Sequence, residues 1–239
     1  MNTNVVKLFF SACVIFWVIA YLAIIYRGFR DKTIGIPMAA LAVNLSWEAI
    51  WSFVVDPFSD IGHILTIPWF CIDLVIVAQC LMYGGNDVEA PFLRRYFKVF
   101  FIAATAIAFP VIYLSMKEFH DWYGQYTATA DNFMMSLLFI ALLMQRKGVG
   151  GQSMYIAISK WLGTFLAYIA VALKVTTSFA HPWPTSLGSF VAGAVRHATY
   201  PLTPLISFLY GVTFFVDILY ILLLRSRLKE CGISPWRRI

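Results

Sequence analysis

Long stretches without charge constrain this chain more than any other feature. Residues 8–26 contain no charge, Glu48 is the only charge between Thr33 and Val55, and Asp217 is the only charge between Pro201 and Leu224. A helix needs about 20 mostly apolar residues to cross a bilayer. The chain is 61% hydrophobic and 13% charged, whereas about 25% of the residues of a soluble domain are charged. The sequence therefore predicts an integral membrane protein.

Seven such stretches are separated by short segments rich in Gly, Pro, His and Asp. The first is followed by Arg27 and Arg30 without a small-residue cleavage signature, so we expect a retained helix rather than a signal peptide. The predicted fold is an all-α, polytopic membrane protein, a seven-transmembrane-helix bundle that forms one domain over residues 1–239. Its spans lie near residues 7–27, 34–56, 61–84, 97–117, 127–146, 153–178 and 200–224.

Lys and Arg are distributed unequally between the two sides of this topology. Of the 18, 13 fall on one side and 3 on the other, and Lys160 and Lys174 lie within the sixth span. Because cytoplasmic loops carry the excess of positive charge, we predict an outside N-terminus and a cytoplasmic C-terminus. The same topology explains the net charge of +6, so we predict no binding of nucleic acid. The expected location is a multi-pass position in a bacterial inner membrane or the endoplasmic reticulum, and no sequence signal indicates the oligomeric state.

Carboxyl groups inside a membrane are costly, and each is a candidate functional residue. Glu48 and Asp217 lie deep in the second and seventh spans, each about eight residues or ~12 Å from a charged end. We therefore predict that they lie at neighbouring depths and flank one cavity. Asp73 lies midway along the third span and Asp131 near the outer end of the fifth. For these two acids, a structural hydrogen bond to another helix is as good an interpretation as a function.

Aromatic and amide side chains accompany the two deep acids. Asn44 and Trp51 lie four residues before and three residues after Glu48, on the same helical face, and Trp47 is adjacent to it. Tyr210 and Phe214 precede Asp217 at helical spacing. We predict substrate- or cation-binding roles for Asn44, Trp47, Trp51, Asp73, Tyr210 and Phe214. We expect Lys160 and Lys174 to extend to the membrane interfaces, and Trp69, Trp122, Trp161 and Trp183 to lie in the interfacial belts.

This combination of groups indicates acid chemistry on an apolar molecule. A carboxyl group in an apolar pocket favours its protonated form and can act as a general acid towards an epoxide or an olefin. Aromatic faces would stabilise the positive charge that then develops on carbon, and the pocket would exclude water. These are the requirements of polyene cyclisation. A proton relay in a transporter would need the same groups, so both interpretations are open at this point.

The second span carries a specific motif, Asn44-Leu45-Ser46-Trp47-Glu48, and the last span carries Asp217. With the stretch Lys160 to Thr164, these residues resemble the membrane-integral terpene cyclases of meroterpenoid and indole-terpenoid biosynthesis, the paxilline- and pyripyropene-type enzymes. The resemblance implies a cyclase that needs no metal or other cofactor and protonates an epoxide or terminal alkene. Its substrate would be a lipophilic molecule, a farnesyl-type or longer prenyl chain on an aromatic or heterocyclic head group, that enters from the membrane lipid. Glu48 and Asp217 would be the catalytic acids, with the proton donor undetermined between them.

The sequence lacks the motifs of other enzymes and transporters with this architecture. There is no Asp-Asp-x-x-Asp cluster to bind magnesium diphosphate, and the four cysteines and four histidines lack metal-ligand spacing. The last span has no lysine for a Schiff base, and no Pro-Gln dipeptide or repeat of three spans is present. A proton-coupled seven-helix transporter that uses the same buried acids remains the alternative. The segment from Ser178 to Thr199 is long for a loop, and we expect a lid or a half-inserted element there.

Overall fold

The structure is a computed structural model, and it describes residues 3–56, 61–178, 184–196 and 199–238. Within these ranges the chain is helical and contains no β-strand. A single 3₁₀ turn, Gly84–Asp87, connects the third and fourth helices. In chain order the α-helices are α1 (Thr3–Asp31), α2 (Met38–Phe53), α3 (Ile61–Tyr83), α4 (Pro91–Arg95), α5 (Phe97–Glu118), α6 (Gln125–Gln145), α7 (Met154–Ser178), α8 (Leu187–Arg196) and α9 (Pro204–Glu230).

Each of the seven predicted spans coincides with one helix, but the helices differ in length. Among the described residues, six are long and apolar enough to cross a membrane: α1, α3, α5, α6, α7 and α9. The 16 residues of α2 rise only about 24 Å. The predicted start of this span at residue 34 is wrong, because α2 begins after Pro37. The apolar residues before Pro37 lie in a non-helical connection between α1 and α2. The guanidinium of Arg146, from the α6–α7 loop, donates a hydrogen bond of 2.9 Å to the carbonyl of Ile34 in this connection.

The helices run alternately up and down, and their arrangement creates an inner and an outer surface. Helix α1 packs along α7, α2 packs against α3, α5 and α6, and α9 packs against α6 and α7. Gly163 on α7 permits the close approach of α1, since a Cβ atom there would lie 2.6 Å from Cδ1 of Trp17. Large apolar side chains such as Ile107, Leu114 and Phe215 remain exposed on the outside. Such a surface suits lipid contact rather than water.

One end of the bundle, which we call the basic end, is held together by a network around Asp31. This end contains the end of α1, the α6–α7 loop and the chain after α9. Arg27 and Arg238 both donate to the Asp31 carboxylate, and the backbone N–H of Gly151 donates to it at 2.8 Å. Arg238 also donates to the carbonyl of Gln152 at 2.9 Å. The network therefore fixes the C-terminal segment against two loops.

The long segment between α7 and α9 contains the short helix α8. Phe190 of α8 packs against the cluster formed by Val171, Val175 and Ile206 on α7 and α9. Residues 179–183 and 197–198 of this segment, and with them Trp183, lie outside the described residues. A lid function for the segment stays a prediction.

Candidate functional site

A cavity of about 260 Å³ lies among six helices, between the middle of the bundle and the end opposite the basic end. Helices α1, α2, α3, α6, α7 and α9 all contribute to its wall. Five aromatic side chains line it: Trp17, Tyr21, Trp47, Trp69 and Tyr210. Its polar wall includes Asn44, Glu48, Gln125, Thr129, Asp131, Asn132 and Thr164. The cavity therefore combines carboxyl groups with aromatic faces.

The Glu48 carboxyl is held on the cavity wall by its own helix. Glu48 is only 5% exposed, and its Oε1 accepts a hydrogen bond of 3.1 Å from Nδ2 of Asn44, one turn earlier on α2. The other oxygen, Oε2, is buried and has no hydrogen-bond partner in the part of the chain that the structure describes. The shared helical face of Asn44 and Glu48, expected from their spacing, is thus confirmed.

Asn44 also connects Glu48 to a second carboxyl group. Its Nδ2 lies 2.8 Å from Oδ2 of Asp73 and 2.7 Å from the hydroxyl oxygen of Tyr21. Asp73 is completely buried, and among the described residues its Oδ1 has no hydrogen-bond partner. Glu48 and Asp73 accept from the same amide nitrogen, so their carboxyl groups lie close together. Because two neighbouring carboxylates in an apolar interior repel each other, ionisation of both is unfavourable, and the pair favours a state that retains one proton.

Aromatic rings surround this pair in a defined arrangement. The ring centroids of Tyr21 and Trp69 lie 5.2 Å apart, and those of Trp17 and Tyr21 lie 6.0 Å apart. The ring centroids of Trp47 and Trp51 lie 5.6 Å apart with their planes tilted by 34°, and Trp51 does not line the cavity. Trp69, which the sequence assigned to an interfacial belt, instead lines the cavity wall.

A network at the end opposite the basic end orients Trp47. Its indole N–H donates to Oγ1 of Thr127 at 2.9 Å, and that hydroxyl donates to Asp121 at 2.8 Å. Asp121 also accepts from the hydroxyl of Tyr200 at 2.8 Å. Burial raises the pKa of Tyr200, so its hydroxyl remains a donor. Gly124, with φ of 62°, leaves room for both Trp47 and Trp51 beside the start of α6.

Asp217 occupies a different environment from Glu48. The Lys160 ammonium donates to both oxygens of Asp217, at 2.9 and 3.0 Å, and to Oγ of Ser136 at 2.6 Å. Lys160 is 2% exposed and Asp217 is 1% exposed. The expectation that Lys160 extends to the interface is wrong, because its side chain points into the bundle and finds a carboxylate on α9. Lys174, by contrast, is exposed near the end of α7 opposite the basic end.

The sequence predicted that Glu48 and Asp217 flank one cavity, but the structure places a different second acid on the cavity wall. Asp217 is not among the residues that line the cavity, whereas Asp131 is. Lys160 nevertheless connects the two regions, since its Nζ lies 5.9 Å from the ring centroid of Trp17 on the cavity wall. For Asp131 the sequence left a functional role and a structural hydrogen bond equally open, and the structure places it on the cavity wall. Trp17 and Tyr21 were missed, although their spacing of four residues on α1 was a usable signal.

A second cavity of about 170 Å³ adjoins the first between α7 and α9. Thr164 and Tyr210 line both cavities. Phe214 belongs to the second cavity, and its ring centroid lies 5.3 Å from that of Trp161. Phe215, on the same wall, is 70% exposed on the outer surface of the bundle. The two cavities thus extend from the carboxyl groups towards the lipid-facing surface.

In the part of the chain that the structure describes, no three or more His, Cys, Asp or Glu residues form a group that could hold a metal ion.

Comparisons with known proteins identify the family of this chain. The family model for Pyr4-like transmembrane terpene cyclases matches residues 2–229. A Pyr4-family terpene cyclase of Annulohypoxylon moriforme is 25% identical over 77% of this chain and 79% of its own length. The asnovolin H synthase of Aspergillus novofumigatus is 27% identical over 73% of each chain, and a terpene cyclase of Aspergillus fumigatus is 25% identical over 72% of this chain and 70% of its own. No solved structure matches. A multi-pass membrane protein with a buried acidic and aromatic cavity, this chain belongs to the Pyr4-like transmembrane terpene cyclases.

Proposed function

We propose that this protein protonates an epoxide or terminal olefin of a farnesyl-type prenylated aromatic or heterocyclic substrate, and that Glu48 donates the proton. The observation that carries the proposal is the Glu48 carboxyl on the wall of an aromatic cavity, with one oxygen that has no hydrogen-bond partner among the described residues. An unsatisfied buried carboxyl oxygen is costly and calls for an explanation, and a catalytic role supplies one. Membership of the cyclase family favours this reaction over proton-coupled transport by the same acids.

The Glu48–Asp73 pair would supply the proton in this mechanism. Asn44 bridges the two carboxyl groups, so the proton that they retain is held beside the substrate. Its transfer from Glu48 to the epoxide oxygen opens a C–O bond, and its transfer to an olefin carbon consumes a π bond. Either step leaves positive charge on carbon, and the π electrons of the next olefin then close a ring. The faces of Trp17, Tyr21, Trp47 and Trp69 would stabilise this charge, and no metal takes part.

The two adjoining cavities would accommodate the substrate together. Their volumes are about 260 and 170 Å³, so only in combination do they reach the range of about 300–1,000 Å³ that is usual for ligand sites. We place the reacting end of the prenyl chain at Glu48 and the remainder past Tyr210 and Phe214 towards the lipid. This placement suits a substrate that is itself lipophilic.

Asp217 would contribute as a positioning residue rather than as the proton donor. Its carboxylate already accepts two hydrogen bonds from Lys160, so it has no proton to give while that ion pair persists. It would hold Lys160 in place beneath Trp17. The sequence left open which of the two acids donates the proton, and we therefore propose Glu48.

We further propose that α2 is a seventh span and that residues 1–239 form one domain with an outside N-terminus and a cytoplasmic C-terminus. The alternating helix directions and the accumulation of basic residues at one end support this topology. The relatives are fungal, which favours the endoplasmic reticulum over a bacterial membrane. Cys231 is exposed in the C-terminal segment. A variant that retains only this cysteine should react with an impermeant maleimide from the cytoplasmic side of sealed vesicles, and reaction only from the lumenal side would contradict the orientation.

The function can be tested with membranes that contain wild type, Glu48→Gln or Glu89→Gln and a panel of farnesylated and epoxyfarnesylated aromatic acceptors. Products must be separated by retention time, since cyclisation leaves the mass unchanged. Loss of a general acid typically costs about 10²- to 10⁴-fold in rate, and we expect this loss for Glu48→Gln. Glu89→Gln makes the same change at an exposed residue and should cyclise as wild type does. Equal rates for wild type and Glu48→Gln would refute the assignment of Glu48.

A further inference from the structure

A proton-initiated cyclisation also needs a group that ends it, and the cavity offers one besides Glu48. After ring closure the substrate still carries the positive charge that the first proton introduced. The charge disappears when a carbon beside it releases a proton. A carboxylate on the cavity wall can accept this proton, whereas water that reached the cation would add to it instead.

Asp131 of α6 has the position that such a base requires. It is 6% exposed and lines the same cavity as Glu48, from a different helix. Its Oδ1 is buried without a hydrogen-bond partner among the residues that the structure describes. The next residue, Asn132, is fixed by a hydrogen bond of 2.8 Å from its Nδ2 to Oγ1 of Thr164 on α7. Asp131 thus lies on the cavity wall with one carboxyl oxygen available to accept a proton.

Asp131 and Glu48 have different charged neighbours. Lys160, a buried cation, donates a hydrogen bond to Ser136 on α6, five residues after Asp131, and a nearby cation favours the ionised form of a carboxyl group. Glu48 instead shares Asn44 with a second carboxyl group, Asp73, and a neighbouring carboxyl group favours a retained proton. Two carboxyl groups with separated protonation states in one cavity are the arrangement expected of an acid and a base.

We propose that the Asp131 carboxylate is the catalytic base that accepts the proton released from a carbon adjacent to the cyclised carbocation. The C–H bond breaks, its electron pair forms a C=C bond, and the proton moves to Asp131. Glu48 has donated one proton and Asp131 has taken one, so the substrate is isomerised without net change. The proton returns to Glu48 after the product leaves, with the cavity open to water. The inference rests on the proposed cyclase function and assigns a separate step within it.

The test compares Asp131→Asn with Asp56→Asn, which makes the same substitution at an exposed residue, in the assay described above. Asn preserves the size of the side chain and removes the base. Because the loss of a general base typically costs about 10²- to 10⁴-fold, we expect the wild-type olefin to fall at least about 100-fold. Substrate should still be consumed, since Glu48 is intact, and should appear as products that are heavier by one water or that differ in the position of the double bond.

Two results would overturn the proposal. Unchanged product ratios in Asp131→Asn would show that another group accepts the proton. Complete loss of substrate consumption in a variant with wild-type thermal stability would show that Asp131 acts before the cation forms. These two results can be distinguished from a failure of the proposed cyclase function. In that case wild type would give no isomer, or Glu48→Gln would remain active.

A second variant provides a measurement that does not depend on the folding of Asp131→Asn. Asp131→Glu keeps the carboxylate but displaces it by one methylene group. The substrate for this test carries deuterium on one of the two carbons beside the final cation. If residue 131 is the base, the displaced carboxylate should choose between the two carbons differently, so the ratio of products that retain deuterium to products that lose it should differ between Asp131→Glu and wild type. The same ratio in wild type and Asp131→Glu would contradict the proposed role.

Discussion

Two clusters of acidic side chains in this protein differ in how completely their oxygens are satisfied. At the basic end, Asp31 accepts from Arg27, Arg238 and the backbone of Gly151. At the cavity, one oxygen each of Glu48 and Asp131 on its wall, and of Asp73 behind Asn44, is buried without a hydrogen-bond partner among the described residues. An unsatisfied buried acceptor typically costs about 1–3 kcal/mol. The first cluster connects loops and the chain end, whereas the second retains carboxyl oxygens that are available for reaction.

Asp217 belongs with Asp31 in this comparison, although it lies deep in the bundle. Both oxygens of Asp217 accept from Lys160, which also donates to Ser136. Depth in the membrane therefore does not identify the proton donor, but hydrogen-bond satisfaction separates the two kinds of acid. Substitutions in the two classes should have opposite signatures, a loss of stability for satisfied acids and a loss of activity for unsatisfied ones.

The largest loss of stability is expected for Lys160→Met. Removal of one partner from a buried ion pair leaves an uncompensated charge on Asp217 and typically costs about 3–5 kcal/mol. Thermal unfolding in detergent should show a large decrease in Tm. The double variant Lys160→Met with Asp217→Leu should recover most of the loss, because no buried charge remains. If the double variant is less stable than Lys160→Met, the pair does not act as a unit.

A smaller loss is expected for Asp31→Asn. The neutral amide weakens the hydrogen bonds from two guanidinium groups, and bonds to charged groups contribute about 1.5–3 kcal/mol each. Unfolding should begin at lower temperature, while the cyclisation rate per folded molecule stays at the wild-type value. Glu89→Gln, which removes an exposed ion pair with Lys147, is the control and should leave Tm unchanged. A reduced rate per folded molecule in Asp31→Asn would mean that the basic end also shapes the cavity.

The sequence predicted the helices better than it predicted the partners of their side chains. Apolar runs placed the helices because the bilayer dictates their length, and helical spacing placed Asn44 beside Glu48. The start of α2 was missed because apolar residues before Pro37 form a turn held by Arg146, more than 100 residues away in the chain. The side chain of Lys160 was misjudged for a related reason. Distance from a helix end can be counted along the chain, but the direction in which a side chain faces depends on helix packing.

The smallest change in stability, with the opposite sign, is expected for Asp73→Asn. The new amide oxygen can still accept from Asn44, and its NH₂ group can donate to Oε2 of Glu48, which now has no partner. We expect a gain of about 0.5–1.5 kcal/mol, the net contribution of one hydrogen bond, as a small increase in Tm. The same donor would favour ionised Glu48 and remove the shared proton, so cyclisation should slow even though the fold is more stable. Tyr21→Phe, which removes a neighbouring hydroxyl that bonds to Asn44 but leaves both carboxyl groups, is a matched control and should retain more activity. A decrease in Tm as large as that of Asp31→Asn would instead place Asp73 among the satisfied, structural acids.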